Sequence, residues 1–154
     1  MKKTILTILL CGVMMLGMTG CGSNKKVEEK FNPTEIDGIS MAIKEGTLTE
    51  KGVTVIIKDT NGKGTYFYGT EFRIDKKEND NWIKPKETGN NCGFNSIAYY
   101  VDDDGFLEFE QNWECMYGEL ETGNYRLVKS TALSKDTPIT EDEIKYFSVE
   151  FTIK

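Results

Sequence analysis

The chain has 154 residues with 25 acidic against 19 basic side chains, a net charge of −6, four cysteines and no histidine. That length holds one domain with one core. The acidic balance argues against nucleic acid, whose phosphates need Lys and Arg. Without histidine, a Ser or Cys nucleophile lacks its usual general base, and two pairable cysteines cannot build the common four-ligand zinc site.

Residues 1–20 read as a targeting segment. Lys2 and Lys3 form a positive start, Ile5 to Leu16 is apolar, and Met18-Thr19-Gly20 precedes Cys21. This is a secretory signal pattern, too short for a comfortable membrane span. A cysteine directly after the small residues resembles the bacterial lipobox, in which the signal is cut before Cys21 and its sulfur carries lipid. The alternative is an ordinary secreted protein with a cysteine near the cut. Removing the 20-residue signal leaves 134 of the 154 residues, and losing its two lysines takes the net charge from −6 to −8. Residues 21–37 read as the lipidated cysteine and its tether. Lys25, Lys26 and Lys30 there either attract anionic headgroups or simply solubilise the linker. The expected location is the extracytoplasmic face of the cell membrane.

Residues 38–154 read as a single β domain, because short alternating stretches recur between turn residues and no helical period is sustained. Ile39 to Ile43 alternates and ends at Glu45-Gly46. Val53, Val55 and Ile57 share a face, and a loop rich in Asn and Gly follows from Asp59 to Gly64. Tyr66 to Asp75 carries Tyr68, Phe72 and Ile74 on one face. Asn79-Asp80-Asn81 is a turn into a short strand at Trp82-Ile83, and 85–93 is a polar loop. Ile97, Tyr99 and Val101 alternate up to Asp102-Asp103-Asp104-Gly105, and Phe106 to Trp113 follows with Leu107 and Phe109 alternating. Gly105 fits the left-handed position of a three-residue hairpin loop, which sets Val101 opposite Leu107 and Tyr99 opposite Phe109. That register carries Cys92 to within one residue of Cys115, and one bulge near Trp113 joins them. A disulfide between Cys92 and Cys115 suits an oxidising location and contributes about 3 kcal/mol in the chain-entropy model.

Tyr125 to Ser130 is the next strand, with Tyr125 and Leu127 on one face and Arg126 and Val128 on the other. Ser134 to Glu143 is a polar loop. Phe147, Val149, Phe151 and Ile153 alternate with Ser148, Glu150 and Thr152 as the clearest half-buried strand. About seven antiparallel strands predict an all-β, Greek-key sandwich of the immunoglobulin type. The stretch Trp113 to Lys129 is its corner, with Trp113, Tyr117, Gly118, Gly123 and Tyr125 as the structural residues. Leu120 to Tyr125 has the spacing of a tyrosine corner, in which the Tyr hydroxyl bonds to upstream backbone; an ordinary core tyrosine is the alternative.

At this point the chain resembles a known family. Tyr68-Gly69, Phe72, Ile74, Lys76 and Trp82, then Trp113, Tyr117-Gly118, Leu120, Gly123-Asn124-Tyr125-Arg126 and Lys129, then Phe147, Phe151 and Ile153 are similar to the bacterial immunoglobulin-like domain of small Gram-positive surface lipoproteins. The resemblance spans roughly Ile39 to Lys154 and implies an Ig-like sandwich that is extracytoplasmic and lipid-anchored. It carries over no catalytic residue and does not itself call for the Cys92–Cys115 pair.

No metal site, cofactor or catalytic set is expected. Asp102, Asp103 and Asp104 precede a glycine, but Tyr100 and Gln111 stand where an EF-hand needs ligands. The expected function is therefore a lipid-anchored binding or interaction module without catalysis, meeting the membrane through its anchor and an unidentified protein or glycan through its loops. The alternatives are an inhibitor of a basic extracellular enzyme, using Asp102 to Asp104 as a wedge, or a structural envelope component. Most aromatics must fill the core. Phe67 and Tyr100 fall on the opposite strand faces and are the candidate partner-facing rings, with Asp102, Asp103 and Asp104.

Overall fold

A computed structural model describes residues 32–89, 92–135 and 137–154. The signal peptide, Cys21 and most of the tether lie outside the described residues. Eight strands follow in order: β1 (Ile39–Ile43), β2 (Gly52–Asp59), β3 (Tyr66–Tyr68), β4 (Arg73–Glu78), β5 (Asn81–Ile83), β6 (Phe106–Asn112), β7 (Gly123–Leu133) and β8 (Lys145–Ile153). They form two antiparallel sheets. The first is β1-β2-β6, with Ile57 opposite Met41 and Val55 opposite Phe109.

The second sheet is built on β7. Strand β8 runs along one edge of β7 from Gly123 to Thr131. Both β4, at Tyr125 to Val128, and β3, at Thr131 to Leu133, therefore take the other edge, end to end. The stretch expected as one strand from Tyr66 to Asp75 is thus broken at Gly69–Phe72. The β4–β5 turn is the expected one, with Asn79 and Asp80 both at positive φ, the backbone a two-residue hairpin demands.

Alternation buries one row from each strand between the sheets. Val53, Val55 and Ile57 of β2 meet Ile74, Leu127, Phe147, Phe151 and Ile153 of the second sheet. The Phe151 ring is stacked on both Trp113, at 5.5 Å, and Tyr125, at 5.7 Å. Offset aromatic pairs of this kind add about 0.5–1.5 kcal/mol beyond their buried area.

Two further expectations fail. Residues 97–101 form no strand against β6, although the turn itself closes, with Asp102 N donating to Phe106 O at 2.8 Å. Upstream of Asp102 the chain swings to the second sheet, where Tyr68 and Tyr99 exchange both backbone hydrogen bonds at 2.9 Å. β6 pairs with β2 instead, and Tyr99 rests edge-on against Phe109 at 5.2 Å rather than beside it. Val101 is consequently buried while Ile97 is left in solvent. The expected bulge near Trp113 is replaced by one helical turn, α1 (Glu114–Tyr117), stopped by Gly118 at φ 73°.

Candidate functional site

The corner is held by hydrogen bonds from its aromatics to backbone carbonyls. Trp113 is fully buried and its Nε1 donates to Glu50 O at 2.7 Å, while Leu120 N donates to the same carbonyl at 2.9 Å. Tyr125 Oη donates to Glu121 O at 2.9 Å, the hydroxyl-to-backbone bond of a tyrosine corner. Burial raises the pKa of this phenol. Gly123 lies beneath the same ring, where a Cβ would meet Tyr125 Cε2 at 3.3 Å. Tyr117 is buried nearby on α1.

Cys92 and Cys115 are joined, with Cα atoms 5.9 Å apart. The bond ties the loop after β5 to α1, and Thr88 N reinforces it by donating to Met116 O at 2.8 Å. Gly89 is packed so tightly here that a Cβ would fall 1.7 Å from Cys115 O. The route to the disulfide is therefore a helical turn and an irregular loop, not an extended hairpin.

Three buried polar groups gave no signal in the strand pattern. Lys129 lies on the core face of β7, only 1% exposed, opposite the break between β3 and β4. Its Nζ donates to Gly69 O at 2.9 Å and Glu71 O at 3.0 Å and sits 4.2 Å from the centre of the Phe109 ring. Burial pushes its pKa down to about 7, with the Glu71 charge pulling back. Asp59, also buried, accepts from Tyr68 Oη at 2.8 Å and from Asn61 N at 2.8 Å, closing the end of β2. Asp75 accepts from Arg126 Nε at 2.8 Å and from Arg73 Nη2 at 2.9 Å, with the Arg126 guanidinium 4.9 Å from the Trp82 ring. Asp75 and Arg126 are a direct cross-strand pair. Once that register is known, their opposite charges could have been read from it.

The expected partner-facing residues separate into two places. Asp102, Asp103 and Asp104 form the exposed hairpin tip. Asp102 Oδ1 accepts from Asp104 N at 3.0 Å and Phe106 N at 2.8 Å, so that carboxylate serves its own turn. Asp103 lies 2.8 Å from Lys63 Nζ, which lowers the pKa of its carboxyl. Phe67 belongs instead to a cleft of about 270 Å³ where β3, the end of β7 and two loop segments meet. Residues 95–98 form one wall and Ile139 with Ile144 the other, over Phe67, Ser130 and Ala132. Tyr100 stands beyond it, 41% exposed, with its Oη 3.5 Å from Ser134 Oγ.

Both walls are fixed. The first is held by the disulfide at Cys92, by the Tyr99–Tyr68 bridge, and by Asn95 Oδ1 accepting from Ile97 N at 3.2 Å. The second carries a capping box, in which Glu143 Oε2 accepts from Thr140 N and Thr140 Oγ1, both at 2.9 Å. Lys135 also pairs with Glu143, and these contacts hold its carboxyl down to about 2. Among the described residues, no group of three or more His, Cys, Asp or Glu converges as metal ligands.

Two packed antiparallel sheets with a β1-β2-β6 face, a β8-β7-β4-β5 face and a tyrosine bonded across the β6–β7 corner define an immunoglobulin-like sandwich. Residues 35–147 match the bacterial Ig-like domain family, and the chain belongs to it. Families of this kind are generally non-catalytic, and the domain suggests a binding or interaction module. No curated protein and no solved structure matches the chain.

Proposed function

We propose that this protein is a lipid-anchored Ig-like module displayed on the extracytoplasmic face of the membrane, which binds a partner through the cleft end of its sandwich and performs no catalysis. The observation that carries the binding role is the cleft itself. Ile97 is 55% exposed on its wall, an aliphatic side chain that a solvated surface gains nothing by displaying. Family membership supports the module; the run from Lys2 to Cys21 supports the anchor. A disulfide between Cys92 and Cys115 is compatible with an oxidising location.

Fractionation of cells expressing the full chain and its Cys21→Ala variant tests the anchor. The wild type should partition with membranes and carry lipid on Cys21, and the variant should carry none. An unlipidated wild type would refute the anchor. Capture from envelope extract with the full chain tests the module, and a reproducible partner is the expected result. Substrate turnover by the purified protein would overturn the non-catalytic reading.

A further inference from the structure

We infer that the cleft takes an extended segment of a basic polypeptide, seating one or two aliphatic side chains between its walls and placing Lys or Arg against its acidic rim; this rests on the binding role proposed above. The volume sets the first limit. About 270 Å³ lies below the roughly 300–1,000 Å³ of sites that engulf a drug-sized ligand. It suits a side chain or two projecting from a larger partner. The lining sets the second. Phe67, Ile97, Ile139 and Ile144 supply its apolar lining, alongside polar Asn95, Ser96 and Ser130.

Charge then chooses among occupants. Glu71 lines the cleft, and its carboxylate lies over Gly69, where a Cβ would meet Glu71 Oε2 at 3.1 Å. Asp142 and Glu143 precede Ile144 on the far wall, and Lys135 pairs with Glu143. Residues 32–154 hold 23 acidic and 14 basic side chains, so the domain around the cleft is acidic as well. A second copy of this chain, a nucleic acid or an anionic lipid surface would each bring like charge to this rim. A basic segment brings the complement. The fixed walls mean that little of the docking surface has to be ordered on binding.

The test uses the full chain in non-ionic detergent and three fluorescent probes: a short peptide alternating Lys with Ile, its counterpart with Glu for Lys, and its counterpart with Ser for Ile. Anisotropy should show saturable binding of the Lys/Ile probe that weakens from about 0.05 to 0.5 M salt. The other two probes should bind at least about tenfold more weakly. Ile97→Asp and Glu71→Lys, both at exposed positions and checked for native thermal unfolding, should each weaken binding by a similar factor. Asp104→Lys at the hairpin tip should leave it unchanged. Equal binding of the Glu/Ile probe, or loss with Asp104→Lys and not with Ile97→Asp, would overturn the assignment. So would no binding of any probe. If no probe binds while envelope capture succeeds and survives both cleft substitutions, the module stands and the cleft assignment falls. If capture fails too, the module falls with it.

Discussion

Replacing Lys129 with methionine should remove a pH dependence from this domain's stability and reverse, between high and low pH, which of the two proteins is the more stable. The pKa of Lys129 falls from 10.5 in the unfolded chain to about 7 in the fold. A depressed lysine pKa means the unfolded state binds the extra proton between those values. Stability therefore rises with pH across that window, and the full cost of burying the ammonium is felt below about pH 7. At 1.36 kcal/mol per unit, the rise from pH 7 to about pH 9.5 comes to about 3 kcal/mol. No histidine is present to obscure it. In the neutral form, the amine still has two N–H groups for Gly69 O and Glu71 O. Lys129→Met keeps the length of the stem and removes both donors, costing about 2 kcal/mol at pH 9.5. At about pH 6 it also removes the buried charge, and the variant should then be the more stable by about 1 kcal/mol. Urea unfolding followed by the fluorescence of buried Trp113 would give both curves, crossing between about pH 6 and 9. A flat wild-type curve, with the variant weaker at both ends, would show that the carbonyls and the Phe109 ring fully offset desolvation.

Four further outcomes follow from the same contacts. Joint Cys92→Ser and Cys115→Ser substitution should lower unfolding stability by about 3 kcal/mol, the entropy of a loop closed across 23 residues; alkylation with mass spectrometry should find no free thiol at either site in the wild type. Gly89→Ala should destabilise by at least about 1–3 kcal/mol, since its Cβ would strike Cys115 O, and a neutral result in urea would refute that packing. Tyr125→Phe should cost about 1 kcal/mol by losing the bond to Glu121 O, read as a shift in urea midpoint. Tyr68→Phe should cost more, about 1.5–3 kcal/mol, because it strips a donor from the buried Asp59 carboxylate.

How far the sequence spoke depended on whether a residue's role was local. β8 was legible because nothing interrupts its alternation, and its buried row of Phe147, Phe151 and Ile153 is the row the pattern marks. The Asn79-Asp80 turn was legible because those residues tolerate positive φ. The 97–101 segment misled because alternation says which residues share a face, not which strand they meet; β2 had already claimed β6. α1 was invisible because a single turn is too short to show a period. Lys129 was placed on a strand, but nothing local tells a buried lysine from an exposed one. Its acceptors lie 60 and 58 residues away, in a break the sequence did not mark. Of the candidate surface, Phe67 was found as a ring off the core row. Of its companions in the cleft, Ile139 comes from the stretch that reads as a polar loop, and Ile144 lies between that loop and the alternating run from Phe147.

The most direct test of the account is photo-cross-linking in intact cells, with a benzophenone amino acid placed at Ile97 in one strain and at Asp104 in another. The account predicts an adduct to a basic protein from position 97 and none from position 104. An adduct from 104 alone would move the binding surface to the hairpin tip and contradict it.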